Sequence, residues 1–267
     1  MPPAEEPARG THFVQSLERG LSVIRAFSAE HPSMTLSDVA RTTDLTRAAA
    51  RRFLLTLVDL GYVRTDGRLF SLTPRVLDLG YAYVASAGLP DLAQPHLEDL
   101  SSRVRESVSV SVLDGDDIVY IARVATLRIM TVAITVGTRF PAAATSMGRV
   151  LLAGFDGDEL DAFLARAELR RLTATTITDP GELRAEIHRV REQGYAMVDQ
   201  ELEAGLRSLA APIRDGSGRV IAAANVSAHA GRSSVENVYR DLLPALLETT
   251  GRIEADLAAV GRRSADF

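Results

Sequence analysis

The chain has 267 residues, 46% of them hydrophobic and 24% charged, with a formal net charge of −5. That is ordinary globular composition with enough material for two domains, and no run approaches the ~20 apolar residues of a membrane span. There is no cysteine, which removes disulfides, thiolate metal sites and cysteine nucleophiles, and no lysine, so every basic side chain is an arginine.

The charge is unevenly spread. Phe13–Gly88 carries nine arginines against seven acids, whereas Leu89–Phe267 carries twenty against twenty-six. This asymmetry suits a polyanion-binding module joined to a module with another job, and the overall acidity limits indiscriminate adhesion to DNA.

Residues 1–12 read as a short disordered tail without the basic-then-apolar pattern of a secretory leader, which fits a cytoplasmic protein. Val14–Phe27 is predicted as the first helix, with Leu17, Leu21, Ile24 and Phe27 turned toward the next two helices, and His31-Pro32-Ser33 breaks it. A short helix follows at Thr35–Thr42, then the turn Thr43-Asp44-Leu45. The stretch Leu45–Gly61 is next, with Thr46 as N-cap and Gly61 as the stop. Ala50, Phe53, Leu54, Leu57 and Val58 make one apolar stripe, and Arg47, Ala48, Arg51, Arg52 and Thr56 lie on the other side. Guanidiniums beside small alanines let a helix backbone press close to a polyanion, although a merely solvated face would look similar in isolation. Tyr62–Leu72 reads as a hairpin around Asp66-Gly67, which adds Arg64 and Arg68 on a wing. Together these elements predict a winged helix-turn-helix over residues 13–73. Its candidate DNA-contacting set is Ser37, Thr46, Arg47, Ala48, Arg51, Arg52, Thr56, Arg64 and Arg68.

Pro74–Ala87 is predicted as a linker helix with apolar residues on almost every side, so it is expected to be buried in a dimer contact or in the chain's own core. The linker spans 74–88, and Gly88-Leu89-Pro90 opens a second domain over 89–263. There, Asp91–Arg105 is a helix, Ser107–Leu113 and Asp117–Val124 form a hairpin, and Arg128–Val136 is a third strand. Helices at Ser146–Ala153, Asp158–Arg166 and Pro180–Gly194 precede strands at Tyr195–Asp199, Arg207–Ile213 and Arg219–Ala228. A long helix, Val235–Val260, closes the chain. The pattern is α+β: an antiparallel sheet flanked by helices, of the sensor type.

Catalytic and metal signatures are missing from the sequence. The five histidines are scattered, and His229 with Ser227 and Asp199 lacks the elbow of a serine hydrolase. No phosphate-binding loop or dinucleotide fingerprint appears, so neither a cofactor nor a metal is expected. The informative stretch is Pro141–Arg149, where a strand leads into a helix capped by Thr145 or Ser146. Free N–H groups on Ser146, Met147 and Gly148 would favour a carboxylate, with Gly148 letting it approach the backbone; ordinary capping uses the same residues. Polar groups beside the later strands, Asp199, Glu201, Arg207, Ser208, Asn225 and Ser227, are either turn and rim residues or the polar lining of a small-molecule site.

Five segments, SLERGLSVIRAF (16–27), TLSDVA (35–40), LTRAAARRFLLTLVDLGYV (45–63), TSMGRVLLA (145–153) and EQGYAMVDQELEAGLRSLAAPI (192–213), resemble the IclR-type transcriptional regulators. TRAAARRFLLTL and RIMTVAITVGTRFP look most like the branch that controls the β-ketoadipate pathway of aromatic-acid catabolism, the PcaR and PobR kind. The resemblance implies a winged helix-turn-helix, a linker helix and a GAF-like effector domain. It also implies homodimers, often paired into tetramers, bound to double-stranded operator DNA, with a small organic acid as effector and no catalysis. Carried over by position, the effector set is Thr145, Ser146, Met147, Gly148, Val198, Ser208, Asn225 and Ser227, with Asp199 beside it. Val198 departs from the acidic residue of some relatives, which puts transfer of their effector in doubt. Ala48 and Ala49 replace hydroxyl residues common in the family's recognition helix, so base reading would rest on Arg47, Arg51 and Arg52 or on alanine methyls. The rival reading is an enzyme acting on small organic acids with an accessory DNA-binding domain.

Overall fold

Local chemistry fixes the helices of the first unit. In the computed structural model, which describes residues 13–28, 30–77, 79, 88–126 and 134–265, the chain divides into two units at Ser86/Ala87. The first unit contains α1 (Gln15–Arg25), β1 (Ser33–Thr35), α2 (Leu36–Thr42), α3 (Arg47–Asp59), β2 (Val63–Thr65) and β3 (Leu69–Leu72). A capping box starts α2: the Thr35 hydroxyl accepts from the Asp38 N–H, and the Asp38 carboxylate accepts from the Thr35 N–H, both at 3.3 Å. The Thr35 hydroxyl also donates to the Asp38 carboxylate at 2.7 Å, and that bond, with the one from the Thr35 N–H, holds the Asp38 carboxyl below its ordinary range. Thr46 caps α3 by accepting from Ala49 at 3.2 Å. The turn between the helices passes through Asp44 at φ 52, a left-handed position that aspartate tolerates better than most residues.

The far end of α3 is closed by Gly61 at φ 80, where the N–H of Tyr62 reaches Leu57 and that of Gly61 reaches Val58, both at 2.9 Å. The wing follows as expected. At its tip the Asp66 carboxylate accepts from Arg68 and Leu69 at 2.9 and 2.7 Å. A strand absent from the sequence reading, β1, completes a three-stranded sheet of order β1-β3-β2 and buries Met34.

The packed face of α1 differs from the expected one. Val23 and Phe27 enter the core with Leu54 and Phe70, while Leu17 and Leu21 are 63% and 47% exposed. Gly20 lies 3.9 Å from Phe53 by the position a Cβ would take, so α3 sits against the Gly20–Val23–Phe27 side of the helix. The expected linker helix Pro74–Ala87 lies largely outside the described residues; its first turn, Pro74–Leu77, is a 3-10 helix.

The second unit is built on a six-stranded antiparallel sheet of order β6-β5-β4-β9-β8-β7. Its strands are β4 (Ser107–Asp114), β5 (Asp117–Val124), β6 (Arg139–Pro141), β7 (Ala196–Asp199), β8 (Leu206–Arg214) and β9 (Val220–His229). Both faces are covered. On one lie α4 (Leu89–Val104) and the terminal helix α8 (Leu243–Ala265), which pack on Val108, Val110 and Val226. On the other lie α5 (Ser146–Ala153), α6 (Gly157–Arg166) and α7 (Pro180–Gln193), around Leu152, Phe163 and Ile187. The expected strand Arg128–Val136 falls mainly outside the described residues, and the strand beside β5 is β6. The expected helix Val235–Val260 is interrupted by a π turn at Val238–Leu242 before α8 begins.

The double cover changes what the β4 alternation means. Ser107, Ser109 and Ser111 occupy the polar positions, yet each is at most 1% exposed, because the face that alternation usually leaves wet is covered too, with Arg123 over Ser109 and α5 over Ser111. Ser111 donates to the Met147 sulfur at 3.3 Å. A buried hydroxyl face beneath a helix start is the ground on which the pocket stands.

Candidate DNA-contacting face and effector pocket

All nine residues of the expected DNA-contacting set are exposed: Ser37 on α2, Thr46, Arg47, Ala48, Arg51, Arg52 and Thr56 at the start and along the outer side of α3, and Arg64 and Arg68 on the wing. None of the five arginines is ion-paired among the described residues. Thr56 spends its hydroxyl on the Arg52 carbonyl at 2.9 Å, which leaves its methyl as the outward group. The unit therefore presents unmatched cations on a helix and a neighbouring hairpin, the arrangement that meets phosphates and base edges. A broad groove beside α1, lined by Phe13, Val14, Leu17 and Leu21, is apolar and open, so it does not suit a small anion.

In the second unit a small cavity of about 20 Å³, room for about one water, lies between α5 and the sheet, so a ring-sized ligand enters only if its walls move apart. Seven expected residues line it: Thr145, Ser146, Met147, Val198, Ser208, Asn225 and Ser227. Tyr120, Ala144, Leu202 and Leu206 line it as well and were not foreseen. The polar groups form one cluster. Ser146 and Ser208 hydroxyls are 2.8 Å apart, and the Asn225 amide donates to Ser208 and Ser227 at 2.9 and 3.0 Å. The Asn225 carbonyl oxygen has no partner although the residue is 3% exposed. Tyr120 supplies an aromatic wall, edge-on to Phe140 at 6.0 Å, and burial pushes its phenol up to about 12.

Gly148 and Asp199 stand apart from the lining. A Cβ on Gly148 would lie 2.1 Å from the Ala142 carbonyl oxygen, so its missing side chain makes room for the preceding turn and not for a ligand. Its N–H donates to the Thr145 hydroxyl at 3.0 Å. Asp199 grips Arg207 with both oxygens, at 3.0 and 2.8 Å, and His229 accepts from Gly231, so the three residues considered as a catalytic set have other partners.

One structural group near the pocket was not foreseen. Arg149, 1% exposed, is held by Glu201 at 2.8 and 2.5 Å and donates to the Ala143 carbonyl at 3.0 Å. Thr173 and Thr176 donate to the carbonyls of Gln200 and Glu201 at 2.7 Å each. The loop that carries Leu202 over the cavity is thereby tied to the helix beneath it, and it passes Gln200 at φ 60.

Comparison with known proteins agrees with this architecture. Residues 16–67 match the IclR helix-turn-helix domain, and residues 81–255 match the bacterial transcriptional regulator IclR C-terminal domain. The chain is 49% identical over 236 residues to the Pca regulon regulatory protein of Pseudomonas putida, covering 88% of this chain and 81% of that one. A transcriptional regulator from Rhodococcus sp. RHA1 superposes with a TM-score of 0.84 at 62% identity, covering 93% of this chain and all of that one. An IclR homolog from Microbacterium hydrocarbonoxydans, solved with 4-hydroxybenzoate, superposes with a TM-score of 0.81 at 28% identity, over 91% and 98% of the two chains. The chain belongs to the IclR family of bacterial transcriptional regulators, on the branch that includes the Pca regulators.

Proposed function

We propose that this regulator binds operator DNA through α3 and the wing, and that a small aromatic acid in the second unit's cavity changes that binding. The observation that carries the reading is the buried hydroxyl–amide cluster facing an aromatic and aliphatic wall, in a domain whose relative was solved with 4-hydroxybenzoate. The effector set is Thr145, Ser146, Met147, Val198, Ser208, Asn225 and Ser227; Gly148 and Asp199 support its edges. The DNA set is Ser37, Thr46, Arg47, Ala48, Arg51, Arg52, Thr56, Arg64 and Arg68. The protein works in the cytoplasm, as a homodimer or a tetramer made from two dimers. No helix among the described residues is long and apolar enough to cross a membrane.

The test is a mobility shift on the DNA upstream of the chain's own gene, titrated with ring carboxylates such as 4-hydroxybenzoate. An acid that moves the DNA affinity supports the reading. A shift unmoved by any such acid leaves a DNA-binding protein without this effector, and turnover of the acid would favour an enzyme. Assembly is tested by Leu79→Glu: Leu79 is 53% exposed in the single chain, and a charge buried there should give monomers in sedimentation. An unchanged dimer would move the interface elsewhere.

A further inference from the structure

Two unsatisfied polar atoms share one face of the sheet. One is the Asn225 carbonyl oxygen, an acceptor in the cavity lining; the other is Nε of Arg123, a donor on β5. Both residues are register partners of Ser109 on β4, so they flank it on the same face, with Cα atoms roughly 10 Å apart across two strand spacings. Arg123 donates from its Nη1 to the Ser109 hydroxyl at 3.0 Å. Tyr120, which lines the cavity, is the titratable group beside it.

Arg123 also lacks what comparable arginines in this unit have. Arg103, Arg139, Arg149 and Arg207 each meet a carboxylate. Arg123 is half-buried with no carboxylate partner among the described residues. Burial pulls its guanidinium below the ordinary value, whereas the carboxylates beside Arg103 and Arg139 hold theirs above it. A half-buried cation without a counter-ion is matched electrostatically by an arriving anion.

We propose that Arg123 is the carboxylate anchor of the effector pocket and fixes the effector's orientation. Arg123 flanks the cavity lining without belonging to it. On binding, the walls part, the acid group pairs with the guanidinium beside Tyr120, the ring lies across Ser109 between α5 and the sheet, and a hydroxyl at its far end donates to the Asn225 carbonyl oxygen. The matching ligand class is a single-ring carboxylate bearing a hydroxyl away from the acid. The helix start of α5 is the weaker site for the charge, because its Gly148 N–H is already taken by Thr145 and the two N–H groups before it carry only a partial charge.

The inference rests on the acid-sensing reading, and calorimetry on the full chain separates the two. The probes are 4-hydroxybenzoate, benzoate and the neutral isostere 4-hydroxybenzamide. For the wild type, the acid should bind at least about tenfold tighter than the amide, and benzoate should bind more weakly than 4-hydroxybenzoate. Arg123→Gln should weaken the acid about 30-fold or more, with Arg123→Lys in between, and should leave the amide unchanged. The melting temperature of Arg123→Gln without ligand should stay level or rise, because no internal ion pair is lost; a purely structural arginine would lower it. If the wild type binds none of the acids, the acid-sensing reading falls and the anchor with it. If the wild type binds the acid and Arg123→Gln binds it within about threefold, the anchor is wrong and the reading stands. Equal wild-type affinity for acid and amide overturns the anchor without recourse to any variant.

Discussion

The two units use the same side chain in opposite ways. In the first, Arg47, Arg51, Arg52, Arg64 and Arg68 stand in solvent without a carboxylate partner among the described residues. In the second, most arginines are matched: Arg139 to Asp114 and Asp117, Arg149 to Glu201, Arg166 to Asp116, Arg184 to Asp161, Arg207 to Asp199 and Arg252 to Asp99. The guanidinium does not change between these places; its surroundings do. An unmatched cation in water is held ready for an external polyanion, while a matched one is part of the scaffold. Net charge hides this, since the unit with more arginines is the acidic one.

Removing arginines one at a time tests that division. The largest effect should come from Arg149→Ala, which strands the Glu201 carboxylate in a dry site and should lower stability by about 3–5 kcal/mol in urea unfolding. Replacing Arg149 by Met and Glu201 by Leu together should recover most of that loss; failure to recover would assign the pair a role beyond charge matching. Arg51→Ala should leave the melting temperature alone and weaken operator binding by about 1–3 kcal/mol at fixed salt if it reads a base. An Arg51 variant that melts early would erase the contrast between the units. Arg184→Ala breaks a pair exposed on both sides and should change stability by no more than about 1 kcal/mol.

The smallest effect concerns a carboxylate. Burial raises the Glu106 carboxyl above its ordinary 4.5, with Arg232 and His229 opposing the shift. A raised carboxyl takes up protons more readily in the fold, so this group lowers stability as the pH rises from 4.5 through its folded value. Glu106→Gln should therefore stabilise the protein slightly at neutral pH, and the gain should vanish below about pH 4.5. Melting curves across that range check it.

Much of this was readable where one stretch of chain determines the outcome. Thr46 and Gly61 bound α3, Asp66-Gly67 turns the wing, and Ser146–Ala153 is a helix as expected, because caps and turns are local chemistry. Distant partners were harder. The three residues of β1 owe their strand to β3, more than thirty positions away. On α1 two overlapping stripes satisfy the same period, and the core took Val23 where Leu21 was expected. The alternation of β4 does not tell a wet serine face from a covered one, and here the serines are buried. Tyr120, Leu202 and Leu206 join the pocket from separate segments, with no motif to group them. Arg123 was passed over because nothing in the sequence distinguishes a matched arginine from an unmatched one.

Gly148 has a mechanical consequence. With its Cα pressed against Ala142, the turn Ala142–Ala144 and α5 leave no slack between them, and Arg149 bonds back to Ala143 one residue later. On the proposed reading, a molecule entering the cavity would push on Ala144, Thr145 and Met147, which belong to one stiff piece. With local yielding blocked, such a push would shift the whole piece against the sheet. At this position the missing side chain gives stiffness rather than freedom, and a stiff piece can carry a small displacement away from the ligand.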